Sequence, residues 1–125
     1  MFFGKYILSI LVSSSQSLGI LKLPRSWISD STVKDVAPRL STIIYLDVRH
    51  CGNIRAPALE AIGNNYRYLI RLDITVEEYI SYSRSLDEEA TAIAATMPKL
   101  KHLEIDYMHV STQGVLNILY GCSEL

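Results

Sequence analysis

Residues 43–74 read IIYLDVRHCGNIRAPALEAIGNNYRYLIRLDI, and their apolar spacing changes twice. Ile43, Leu46 and Val48 come first, with Asp47 between the last two. A strand sets Leu46 and Val48 on one face and Asp47 on the other. Leu59, Ile62 and Gly63 follow at i, i+3 and i+4, the spacing of one helix face. Leu69, Leu72 and Ile74 then restart the first pattern. The segment is therefore a strand, a turn, a helix and a second strand running the same way. One such unit cannot bury its own apolar face, so it needs neighbours of its kind.

Those neighbours are present on both sides. Leu18, Leu21 and Leu23 precede the segment, and Leu100, Leu103 and Ile105 follow it. The four starts at 18, 43, 69 and 100 lie 25, 26 and 31 residues apart, and Leu125 falls 25 beyond the last. The helix spacing recurs in the same register at Val33, Val36 and Ala37, at Ala90, Ile93 and Ala94, and at Val115, Ile118 and Leu119. This is the periodicity of a leucine-rich repeat. It predicts an α/β, right-handed solenoid over residues 18–125, with parallel strands on the concave face and helices on the convex face. Residues 1–17 begin with the apolar run MFFGKYILSILV and the serines Ser13, Ser14 and Ser15. The run is too short to span a bilayer and has only Lys5 as a basic residue, so a remnant of a preceding repeat is favoured over a secretory signal.

With 125 residues, 49% hydrophobic, the chain suffices for one modest core, and a net charge of -1 gives no general attraction to nucleic acid or an acidic membrane. Cys51 and Cys122 are too far apart in sequence, and His50, His102 and His109 too irregularly placed, for a zinc motif. Neither metal nor cofactor is expected. No phosphate loop, nucleophile elbow or H-E-x-x-H helix occurs. The carboxylates Glu77, Glu78, Asp87, Glu88 and Glu89 fall in an insertion and at a helix start, where acids suit the dipole. The sequence thus reads as a binding surface without catalytic residues.

The extra length of the third unit lies in VEEYISYSRSLDEE, residues 76–89. Insertions in solenoids map to one edge, so Tyr79, Ile80, Tyr82 and Arg84 form either an aromatic and basic lobe or a loop folded over the core. Pro38 and Pro98 mark helix ends. Gly63, Asn64 and Asn65, and likewise Gly121, are expected as left-handed helix caps.

The second unit also places Cys51 after the strand and Ile54 in the turn, and the fourth places Cys122 before the next start. The first keeps Ile28, Asp30 and Val33 in register, with Ser26 in the cysteine position. LKLPRSWISD (21–30) and YLDVRHCGNI (45–54) resemble plant F-box proteins with cysteine-containing leucine-rich repeats, over roughly Leu18 to Leu125. The resemblance implies buried, unreactive cysteines and repeats that hold a protein substrate for an SCF-type ubiquitin ligase, in the cytoplasm or nucleus. It also implies that a Skp1-type adaptor binds only through a helical F-box, and none of the needed length precedes Leu18. The competing expectation is a secreted or membrane-tethered ligand-binding repeat domain.

Strand alternation aligns the outward residues into columns about 4.8 Å apart. The central column is Lys22, Asp47, Asp73 and Glu104; its neighbours are Ile20, Tyr45, Arg71 and His102, and Pro24, Arg49, Thr75 and Asp106. Stacked carboxylates repel. Either Arg49 and Arg71 neutralise them from the diagonal positions, or an acidic stripe anchored by Tyr45 and Tyr107 receives a basic or amphipathic segment. The candidate partner-binding residues are Tyr45, Asp47, Arg49, Arg71, Asp73, His102, Glu104, Asp106 and Tyr107. The partner is expected to be a protein, not nucleic acid or membrane, with self-association through uncapped ends.

Overall fold

The computed structural model describes residues 18–23, 28–51, 54–75, 86–106 and 110–125. The apolar segment 1–17 and the expected lobe of Tyr79, Ile80, Tyr82 and Arg84 lie outside them. Strands and helices alternate: β1 (Ile20–Lys22), α1 (Asp30–Val36, extended by a 3-10 turn at Ala37–Arg39), β2 (Tyr45–Val48), α2 (Ala56–Asn65), β3 (Arg71–Thr75), α3 (Asp87–Thr96), β4 (His102–Asp106) and α4 (Thr112–Gly121).

The four described strands run parallel in the order β1-β2-β3-β4. The pairing aligns Leu21, Leu46, Leu72 and Leu103 across the sheet, and beside them Lys22, Asp47, Asp73 and Glu104. Each new strand begins the same way. The Gly19 carbonyl accepts from the amides of Ile44 and Tyr45, the Ile44 carbonyl from Ile70 and Arg71, and the Ile70 carbonyl from Lys101 and His102, at 2.8–3.1 Å. One carbonyl serving two amides locks the register where a one-residue slip would turn every leucine outward.

The leucine ladder packs with the helices into one core. Leu40, Ile43, Leu59, Ile62, Leu72, Ile93 and Leu100 are almost wholly buried. Each such side chain contributes about 1.5–3 kcal/mol through burial. Val115 and Leu119, read from spacing as core, are instead 46% and 54% exposed. They line an apolar trough with Leu103, Ile105, Val110, Ile118 and Leu125 at the α4 end of the stack. Among the described residues no further unit covers them.

Side chains from one unit cap the next. Arg55 N–H donates to Asp30 Oδ1 at 2.8 Å, and Ser111 N–H to Asp87 Oδ1 at 3.0 Å. Asp30 and Asp87 are the first residues of α1 and α3, and each holds the residue that caps the start of the following helix. Cys51 and Cys122 are both buried. Cys51 Sγ donates to the Leu23 carbonyl at 3.0 Å, so its place under the strand end is a bond to the preceding unit. Burial pushes the Cys122 thiol pKa up, which disfavours its reactive thiolate. Glu89, expected at a helix start, is 1% exposed and lies 3.8 Å from Arg55 Nη1.

Gly63 and Gly121 are not left-handed caps. Both lie inside helices, and the only described non-glycine residue with positive φ is His50, at 61°. Their role is close approach: a Cβ on Gly63 would collide with Thr96, and one on Gly121 with the Ala94 backbone. Ala in an unobstructed helix position is favoured over Gly by about 1 kcal/mol, but overpacking against rigid backbone costs about 1–3 kcal/mol. Gly121→Ala is therefore expected to lower the melting temperature by about 5 °C or more. A rise in a calorimetric scan would contradict this account of the α3–α4 contact.

Candidate functional site

The sheet face turned away from the helices carries the polar columns. Alternation points Asp47 and Asp73 away from the core, yet they are 1% and 0% exposed. Side chains of neighbouring columns lie over them. Arg49 covers Asp47, with Nε 3.0 Å from Oδ1 and Nη2 3.0 Å from Oδ2. The Arg49 amide also donates to Oδ1 at 3.1 Å, which helps turn the chain at the end of β2. Over Asp73 lie Arg71, with Nε and Nη2 each 3.2 Å from a carboxylate oxygen, and the Tyr45 hydroxyl, which donates to Oδ2 at 2.8 Å.

Two-point arginine forks of this kind are strong and fix the planar group in place. Neutralisation is thus internal, by Arg49 and Arg71, each two residues along the chain from its own aspartate, and Asp47 and Asp73 form no bare acidic stripe for a basic segment. The Tyr45 ring holds the network together from the adjoining column. Arg71 Cζ lies 4.5 Å and Lys22 Nζ 5.2 Å from its centroid, within cation–π range. Glu104 and His102 complete the patch. Glu104 Oε2 is 3.9 Å from Arg71 Nη2, and His102 Nε2 is 3.9 Å from Asp73 Oδ1.

Protonation follows from these contacts. Burial pushes the Asp73 carboxyl up, but the hydrogen bonds from Arg71 and Tyr45 and the charges of Arg71 and Arg49 outweigh it, so its pKa lies below the ordinary value. The bond to Asp73 raises the Tyr45 pKa, aided by burial and by the Asp73 charge. Bonds to Asp47 and Asp73 raise those of Arg49 and Arg71 in turn. Donor atoms of Asp73, His102 and Glu104 come within 4.8 Å of one another. Both Asp73 oxygens already accept hydrogen bonds, and the Arg71 guanidinium beside Asp73 and Glu104 would repel a metal ion.

Of the nine candidates, Tyr45, Asp47, Arg49, Arg71, Asp73, His102 and Glu104 come together here. The Asp106 backbone closes β4 opposite Thr75. Its side chain and Tyr107 lie outside the described residues. Lys22, which heads the central column, was not among the candidates. Its signal was the registered position diagonal to Tyr45, where a long cation can reach the ring.

No family model matches the sequence. Against curated proteins, the chain is 42% identical over 121 residues to the F-box protein FBW2 of Arabidopsis thaliana, an alignment spanning 93% of this chain and 37% of that protein. The chain is a relative of the plant F-box and leucine-rich-repeat proteins. Arabidopsis thaliana also has the putative F-box/LRR-repeat protein 23, at 31% identity over 90% of this chain and 25% of that protein, and the F-box protein SKIP1, at 30% over 88% and 40%. The chain therefore spans well under half the length of these F-box relatives. Among solved structures, a chain from the yeast Rad7 and Elc1 complex superposes with a TM-score of 0.78 at 17% identity, over 94% of this chain and 28% of that one. The tropomodulin C-terminal domain of Caenorhabditis elegans gives 0.53 at 8% identity, over 96% and 91%. At such identities the likeness is one of fold. The match to a protein named for its leucine-rich repeats agrees with the repeat spacing of this sequence. Among the described residues no helix is long and apolar enough to cross a membrane.

Proposed function

We propose that this chain is the substrate-holding repeat region of an SCF-type F-box receptor, and that it serves ubiquitin-dependent protein turnover in the cytoplasm or nucleus without catalysing a reaction itself. The observation that carries the reading is the sheet-face network, in which Tyr45, Arg49 and Arg71 are held by buried carboxylates. Such pre-ordering lowers the entropy lost on binding. Aromatic and arginine side chains are also the types that anchor protein interfaces.

In this reading the units start at residues 18, 43, 69 and 100, residues 1–17 belong to a preceding unit, and the crossovers are right-handed, as parallel strand–helix–strand connections almost always are. The sheet is then the concave face. Tyr45, Asp47, Arg49, Arg71, Asp73, His102, Glu104, Asp106 and Tyr107 form or support the contact surface. A Skp1-type adaptor would be reached through an F-box, and self-association would use the apolar trough beside α4. The test is affinity capture from plant cells under proteasome inhibition, with the natural chain and a Lys22→Ala/His102→Ala variant. Proteins captured by the natural chain, lost with the variant and longer-lived when the receptor is depleted are the expected result. Equal capture by both chains, or lifetimes indifferent to the receptor, would overturn the proposal.

A further inference from the structure

The charges of the sheet face are layered, and the layering has a sign. Asp47 and Asp73 are the lower layer, with side chains 2% and 0% exposed. Above them the side chains of Arg49 and Arg71 are 39% and 41% exposed, and that of His102 52%. Lys22 is exposed on the Tyr45 ring. Of the carboxylate side chains described on this face, only Glu104 reaches solvent appreciably, at 38%. Summed formal charge conceals this arrangement. An approaching group meets guanidinium and ammonium first and the paired carboxylates only through them, and Coulomb energy falls with distance.

The arginines also keep binding capacity. A guanidinium has five N–H donors in a fixed fork. Nε and Nη2 of each arginine serve its own aspartate, and among the described residues Nη1 has no acceptor. The free edge of a guanidinium already oriented by one carboxylate suits a second carboxylate.

We propose that the sheet face receives an acidic, extended segment of a partner protein, with its carboxylates on Arg49, Arg71 and Lys22. This rests on the reading of the face as the binding surface, and its charge complementarity is opposite to that of an acidic stripe. The probes are a fluorescent twelve-residue peptide rich in Asp and Glu, a matching Lys-rich peptide and an oligothymidylate, titrated by anisotropy into the full chain at low salt. The acidic peptide is expected to bind best, with affinity falling as salt rises. Lys22→Glu, an exposed change that leaves both arginine forks in place, should weaken it about tenfold, as for reversal of a complementary charge. Lys99→Glu, in the turn after α3, should leave it within about twofold. Preference for the Lys-rich peptide, with Lys22→Glu strengthening it, would overturn the charge assignment but keep the face. Oligothymidylate binding as tightly as the acidic peptide would overturn the choice of an acidic protein segment. Failure of all probes to bind, or binding indifferent to Lys22, would overturn both the assignment and the reading beneath it.

Discussion

Leu72→Asp is expected to abolish the cooperative thermal transition of the chain. Leu72 is 0% exposed and stands between Leu46 and Leu103 in the leucine ladder. Its replacement removes about 3 kcal/mol of apolar burial. It also leaves a carboxyl group among apolar side chains, which costs several kcal/mol more whether the group stays charged or takes up a proton. A domain of this size has only about 5–15 kcal/mol in total, so the two effects together consume most or all of it. Leu103→Asp is the informative contrast. Leu103 is only partly buried beside the open trough, so its substitution should destabilise less and leave a measurable melt. Circular dichroism of both variants checks this, and a Leu72→Asp melt within a few degrees of the natural chain would contradict it.

Asp73→Ala is expected to have the second largest effect, because Asp73 joins three strands. It accepts from Arg71 on its own strand and from Tyr45 on β2, and it lies near His102 on β4. Its loss leaves the Tyr45 hydroxyl and Arg71 without their acceptor. Charge-assisted bonds of this type contribute about 1.5–3 kcal/mol, and water at the exposed guanidinium restores part of that, so a loss of about 2 kcal/mol is expected. The lowered pKa adds a pH signature. A carboxyl whose pKa is lower folded than unfolded stabilises the fold fully above its unfolded pKa, about 3.9, and loses that contribution as pH falls through the folded value. The stability difference between the natural chain and Asp73→Asn should therefore be constant near neutrality and shrink below about pH 4. Denaturant titrations at several pH values measure it; a difference that grows on acidification would show that Asp73 is not held as a carboxylate.

Much of the fold was legible because a ladder is a repeated local fact. The spacing of Leu21, Leu46, Leu72 and Leu103 states strand direction and register together, since only parallel alignment puts them side by side. The site was legible to the level of columns, because alternation assigns Asp47 and Asp73 to the far face. It did not reveal that they are buried there. That depends on Arg49 and Arg71 choosing to fold back rather than extend, which spacing does not encode. Gly63 and Gly121 were read as caps because Gly near a helix end suits either a left-handed turn or a close contact, and only the neighbouring helix distinguishes the two. Val115 and Leu119 carry the helix spacing of core residues, yet burial also needs a next unit. Glu89 stands at a helix start, where an acid suits the dipole, but its partner Arg55 comes from the previous unit, where sequence separation hides the pair.

The most direct measurement is a methyl–methyl NOE experiment on the leucine-labelled chain. A common interior requires cross-peaks linking the Leu72 methyls to those of both Leu46 and Leu103. If Leu72 shows cross-peaks only to residues near it in sequence, the units do not stack, and the surface they were taken to build does not exist.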